Sequence, residues 1–330
     1  MNQNLRSFFR SPFVRALLAL ACIFVLGLIF NADGAFFKWN THRDMFRHIS
    51  VFAILACGMT AVIISGGIDL SVGSVLGFSA VLFSLLSIHL GYPPVACVVL
   101  CLLAGMLCGL VSGTLVSGFR IQPFIATLAM MVFARGLAKW ISGGQKISTA
   151  VQQADGSYSY VATPPMFDFL NSKLLHDNVA VVTVIFLLCL VVTGIVLARL
   201  RWGRYIYAIG GNEEAARLSG VPVTGTKLLV YGLCGLFSAV AGICQAAQEL
   251  QGDPEAGVSY ELTAIAIVVM GGTSLMGGRG GVGLTLLGAL TIGYLEKILS
   301  INAVGEAMRL MLTGLIIVAA VIFQRSGKNR

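Results

Sequence analysis

The chain has 330 residues, of which 57% are hydrophobic and 11% charged, with a mean hydropathy of +0.89. That balance excludes a soluble globular domain, and it assigns the net charge of +8 to membrane anchoring and orientation, not to nucleic-acid binding. Several apolar runs of about 20 residues are long enough to cross a bilayer as helices, and the alternation of a β-barrel is absent. The reading is therefore an all-α integral membrane protein with a single transmembrane domain over 1–330.

In chain order, Arg6, Arg10 and Arg15 precede an apolar run at 16–30. A basic start is also the form of a signal peptide. Here the run continues through Cys22–Leu26 without a small-residue cleavage site, which favours an uncleaved first span. An amphipathic connector follows at 31–48. Spans are then expected at 49–66, 73–90, 94–117, 121–141, 178–198, 228–248, 262–278, 282–299 and 307–324, a polytopic bundle of about ten with Gly-interrupted helices. The eight cysteines all lie within apolar runs, with neither a CxxC pair nor a His cluster, and read as small packing residues.

Ten spans put both termini on one side. The loops and tails of that side carry Arg6, Arg10, Arg15, Arg120, Arg199, Arg201, Arg204, Arg217, Lys227, Arg279, Arg325, Lys328 and Arg330. The opposite loops carry Lys38, Arg43, Arg47, Lys146 and Lys173. By the positive-inside rule the termini and the 199–227 loop are cytoplasmic. Arg135, Lys139, Lys297 and Arg309 fall near the outer ends of spans, where they can snorkel, and they narrow that margin. The far loop at 249–261 is acidic, and the longest outer loop, 142–177, has no clear apolar run.

Gly105, Gly109 and Gly113 recur every four residues and make one helix face that lets a neighbour approach closely in lipid. Asp69 is the only formally charged residue between Val51 and Phe119. It stands in IISGGIDLSVGS, and two readings stay open. Gly66-Gly67 breaks a span, so Asp69 either N-caps the next helix, expected to begin at Leu70, or faces a transport pathway with Ser71. A second segment, VVMGGTSLMGGRGG from Val268, echoes that order and contributes Thr273 and Ser274 as pathway candidates. Gln122 and Gln245, with Gln248, are the other polar residues near spans. Each is suited to sugar hydroxyls or to bridging helices.

Arg199–Lys227 is a polar island between two apolar runs. Asn212 can N-cap a short helix, Glu213 and Glu214 suit its positive end, and Gly220 with Pro222 ends it. At about 1.5 Å per residue the helix is roughly 10 Å long, too short to stand alone in water. Ala215, Ala216 and Leu218 offer a small apolar face, with Arg217 beside it. That face packs either on the chain's own membrane domain or on a cytosolic partner.

GGIDLSVGS at 66–74, IQPFIATL at 121–128, GRYIYAIGGNEEAARLSGV at 203–221 and GGTSLMGGRG at 271–280 together resemble the permease subunits of bacterial ABC importers for ribose and related monosaccharides, the ribose/xylose/galactose type. The resemblance is spread over 50–325, and the outer loop at 142–177 with QQADGSYSY matches no motif. It implies an inner-membrane importer with a second permease copy or paralogue, a cytosolic ATP-binding subunit and a periplasmic sugar-binding protein. It also implies that Gly211–Gly220 couples ATP-driven closure to the spans. The chain has no GxxxxGK[ST] phosphate loop, so ATP is expected in the partner subunit and no cofactor in this chain. The alternatives are an ABC permease for amino acids and a self-sufficient secondary carrier. A carrier would be expected to hold more midplane charges than Asp69.

Overall fold

The computed structural model describes residues 11–152, 156–305, 307–312 and 314–315. The apolar runs form helices, three of them opened by proline, whose missing N–H is not needed in a first turn. In order these are α1 (Pro12–Ile29), α2 (Trp39–Ile64), α3 (Val72–Ser84, continued by a π turn over Leu85–His89), α4 (Pro94–Ser117) and α5 (Pro123–Ser142). A cover segment follows, with strands β1 (Ala150–Gln152) and β2 (Tyr158–Tyr160), helix α6 (Pro165–Asn171), and strands β3 (Lys173–Leu174) and β4 (Val179–Ala180). The chain continues through α7 (Val181–Ala198), α8 (Arg201–Gly211), α9 (Glu213–Leu218), α10 (Val223–Glu249), α11 (Tyr260–Met270) and α12 (Val282–Ile301). Among the described residues eight helices are long and apolar enough to cross a membrane, and α11 is a shorter apolar helix. Each strand pair is a two-stranded antiparallel hairpin.

The core is built around α2, every residue of which is buried from Ile49 to Ile64. Hydroxyls join it to its neighbours: Thr60 shares a 2.6 Å hydrogen bond with Thr285 of α12, and Ser50 donates to Thr183 of α7. The Gly105–Gly113 face lies against α10, as its spacing implies. A Cβ on Gly109 would fall on the Tyr231 carbonyl, and one on Gly235 would fall on that of Gly105. The two backbones thus meet directly, a contact that larger residues forbid and that substitutes for hydrophobic drive in lipid. On the periphery, α1 rests on α12 through Phe24, whose ring is 5.5 Å from that of Tyr294. Seven of the eight unpaired cysteines are buried and Cys22 is exposed.

Two ends of the bundle are distinguished by their contacts. One carries the start of α1, the 65–71 and 271–281 breaks, and α8 with α9; Pro12 lies against Gly272 there. At the far end Asn302 donates to the Phe30 carbonyl, Trp39 to Asn178 and Arg43 to the Asp177 carbonyl. Ile147 and Gly252 exchange backbone bonds of 2.8 Å at that end too. The described residues of the 142–177 cover segment, expected as a loop, are held by this network. Its Pro164-Pro165 opens α6, and α6 inserts Phe167 into a stack on Phe83 with ring centroids 5.0 Å apart.

Three boundaries differ from expectation. The 31–48 connector is largely helix: Thr41, Met45 and Ile49 recur every four residues and are buried, so α2 extends to Trp39. The expected 262–278 span stops at Met270, because Gly272, Gly277 and Gly278 take positive φ and a helix cannot continue through them. In the polar island Arg201–Gly211 is a second helix, held by buried Ile206 and Ile209. The tenth span is helical over 307–312, and the rest of it falls largely outside the described residues.

Candidate functional site

The two glycine breaks meet. Ile64 ends α2, and Gly66 turns the chain with φ of +84°. From the second break, Gly278 donates its N–H to the Ile64 carbonyl at 2.9 Å. Gly210, at the end of α8, sits between them. A Cβ there would fall on the Ile64 oxygen and lie 2.5 Å from the Gly278 nitrogen. Gly277 approaches Gly210 and Gly66, and Gly278 approaches Gly211, all backbone to backbone. Tyr207 completes the joint from α8, its hydroxyl donating to the Gly280 carbonyl at 3.0 Å. Three segments remote in sequence are thereby interlocked through main-chain atoms.

The short helix α9 hangs directly from this joint. Asn212, with φ −161° and ψ 105°, both closes α8 and caps α9, accepting from the Ala215 N–H at 2.9 Å. Gly220 has φ of +80°, the left-handed conformation of a helix stop. Glu213 receives Arg217 at 3.0 Å and Lys227 of α10 at 2.6 Å, which latches the helix to the bundle. Glu214 stands on the same rim, 3.7 Å from Arg217. The expected apolar face divides: Ala216 is buried against Ile209 and Val223, whereas Ala215 is exposed and Leu218 is 81% exposed. One helix thus has an inner anchor and an outer knob, so both readings of its apolar residues hold, each for different side chains.

The pathway candidates do not form one cluster. Asp69 is 1% exposed. Its Oδ1 accepts from the Ser71 N–H at 2.9 Å and the Ser71 hydroxyl at 2.6 Å, which closes a turn just before α3; that helix begins at Val72 with Ser71 as its N-cap and without a side-chain cap bond, so the expected cap on a helix from Leu70 is not formed. The α10 side chains Tyr231 and Cys234 pack beside it: a Cβ on Gly67 would strike the Tyr231 hydroxyl. Thr273 is fully buried in the second break, and Ser274 accepts from the Met276 N–H at 3.3 Å. Gln122 is exposed at the start of α5. Gln245 is buried and donates to Glu249; it lies eleven residues beyond Cys234 in the sequence, about 16 Å along α10. Sequence reasoning missed Gly210, Tyr207 and the latch residue Lys227; the amphipathic spacing of Ile206 and Ile209 in WGRYIYAIGG is the signal that would have found α8.

Residues 43–321 match the family described as branched-chain amino acid transport system / permease component. The chain belongs to that permease family. It is 36% identical to the ribose import permease protein RbsC of Escherichia coli (strain K12), over 92% of this chain and 91% of the relative. It is also 36% identical to the fructose import permease protein FruG of Bifidobacterium longum, over 94% and 90%. A third relative, the xylose transport system permease protein XylH of Escherichia coli (strain K12), is 32% identical over 94% and 92%. No solved structure matches the chain. Membership makes this a multi-pass membrane permease component. The expected family is the one found, although its general description names amino acids while these relatives name sugars.

Proposed function

We propose that this permease is the membrane subunit of an ATP-binding-cassette importer that carries a monosaccharide. The observation that carries the reading is α9: an exposed knob on a capped helix that is rooted in the glycine joint between two broken segments. A cytosolic ATP-binding subunit grips Leu218, Ala215 and the Glu214–Arg217 rim. Its closure moves α9, and the backbone contacts of Gly210 and Gly211 pass that movement to Ile64 and Gly278. The basic bias of the sequence puts this end, and both termini, in the cytoplasm. A periplasmic binding protein delivers sugar to the far end, and a second permease copy or paralogue completes the pathway in the bacterial inner membrane.

Sugar, and not a branched-chain amino acid, follows from the names of relatives that align along nearly the whole chain. The test reconstitutes the permease in vesicles with an ATP-binding subunit and a sugar-binding protein from the same organism. Uptake of labelled D-ribose, D-xylose, D-fructose and L-leucine is then measured with and without ATP. ATP-dependent uptake of a sugar and not of leucine is the expected result. Leucine uptake alone would move the chain to the amino-acid branch, and uptake without any ATP-binding subunit would make it a self-sufficient carrier.

A further inference from the structure

The far end holds a cavity of about 310 Å³ between the first turns of α2, the end of α10, the second half of α12 and Arg309. That volume falls within the roughly 300–1,000 Å³ of small-molecule sites. Arg47 donates to Asn171 of α6, but other polar side chains of the lining are poorly satisfied by the protein. Lys297 and Asp44 are 3.9 Å apart, too far for a direct hydrogen bond. Gln248 reaches only the Arg47 carbonyl, at 3.4 Å. The Arg309 Nε is buried without a partner, and Glu296 is attracted by the Arg309 charge without a hydrogen bond between them. Met45 and Ile49 supply an apolar wall, brought close to α12 by Gly293.

Charge narrows the ligand. Asp44 and Glu296 face Arg47, Lys297 and Arg309. His48 stands among them, and the formal excess is one positive charge with carboxylates interleaved, which disfavours a metal cation and suits a polar neutral ligand better than a fully ionised anion. What it lacks is a partner that donates and accepts at several points while presenting a C–H face to Met45 and Ile49. We infer that this cavity is a monosaccharide subsite at the far mouth of the pathway, with Glu296 and Gln248 as hydroxyl-binding groups and Lys297 beside them. This rests on the sugar-importer reading and adds the residues that hold the sugar after delivery.

The test uses the complete importer in vesicles, with D-ribose, D-xylose and D-fructose as probes and the variants Glu296→Gln and Gln248→Ala. Loss of one ligand hydrogen bond should slow uptake about three- to ten-fold. Sugars differ in hydroxyl placement, so the ribose-to-fructose uptake ratio should shift as well, a readout independent of how much protein folds. ATP hydrolysis stimulated by loaded binding protein should change less than uptake. Unchanged rates and ratios in both variants would overturn the subsite. So would an equal fall for all three sugars, since that marks a structural role. A wild-type importer that carries none of these sugars would overturn the sugar reading, and the subsite with it.

Discussion

Gly278 donates its backbone N–H to the carbonyl of Ile64 at 2.9 Å, and Gly210 fills the space beside that bond. A hydrogen bond between main-chain atoms of two helix breaks fixes their separation more tightly than side-chain packing does, because neither partner has a rotamer to change. The helix that passes between them is the one that ends at Asn212. The joint is therefore placed where force applied to α9 reaches the ends of α2 and the 271–281 segment within a single residue contact.

Gly210→Ala tests that placement. The added methyl has only backbone atoms to meet, so the joint must open, at a cost of about 1–3 kcal/mol. Gly211→Ala is the matched control, since nothing lies within 4 Å of a Cβ there. The expected outcome is a lowered melting temperature and weak ATP-dependent uptake for Gly210→Ala, with Gly211→Ala close to wild type on both. Equal behaviour of the two variants would refute the joint.

What the sequence made legible was local. The caps of α9 and the α4 face depend on residues within a few positions, and both are present as geometry, whereas Asp69 closes a turn before α3 and does not cap that helix. What it left illegible was tertiary. Ala215 and Ala216 are indistinguishable in composition, and only the position of Ile209 and Val223 decides which one turns inward. The glycines of 271–281 were visible as a break, yet the apolar residues before them suggested a longer span than the eleven residues of α11. Glu296 carries no signal in the sequence, because its cavity exists only where the ends of three helices meet.

Asp69 offers a cleaner separation of turn from charge. The two Ser71 bonds run to Oδ1 of the side chain, and an Asn oxygen can accept the same two, with the Cys234 thiol as a further neighbour of the carboxyl. Asp69→Asn should insert and transport within about two-fold of wild type, since the geometry of the turn survives. Asp69→Leu leaves the Ser71 N–H unsatisfied in a buried turn, which costs about 1–3 kcal/mol, and should lower membrane abundance. Normal abundance with abolished uptake in Asp69→Asn would instead assign the negative charge to transport.

The far-end loop carries a pH dependence. Burial raises the Asp253 pKa, but the Lys146 hydrogen bond, the Glu255 N–H and the charges of Lys146 and Arg135 outweigh it and hold the carboxyl below its ordinary value. A carboxyl whose folded pKa is lowered stabilises the fold fully above its unfolded pKa, and the benefit is lost as pH falls through the folded value. Melting temperature should therefore fall more steeply for wild type than for Asp253→Asn below about pH 4, where carboxylates titrate. Parallel curves for the two proteins would show that the Lys146–Asp253 contact contributes nothing.

The last prediction separates the anchor of α9 from its knob. Ala216 is 5% exposed and packs on Ile209 and Val223, so Ala216→Glu buries a carboxylate without a partner and unseats the helix. Any loss of function in that variant reports on the seat and not on a partner. Leu218 points away from the bundle, and exposed side chains of this kind change stability by only about 0.5 kcal/mol when replaced. Leu218→Glu should therefore insert and melt like wild type. If Leu218 is the apolar anchor in a cleft of the ATP-binding subunit, its loss should weaken that contact by about 2 kcal/mol or more. The readout is the ATP-binding subunit retained on the purified permease, beside ATP-dependent uptake in vesicles. Both should drop together in Leu218→Glu while the melting curve stays in place. Full retention and full uptake in that variant would mean that α9 is held only by its own chain, through Ala216 and the Glu213–Lys227 latch, and transmits nothing from outside.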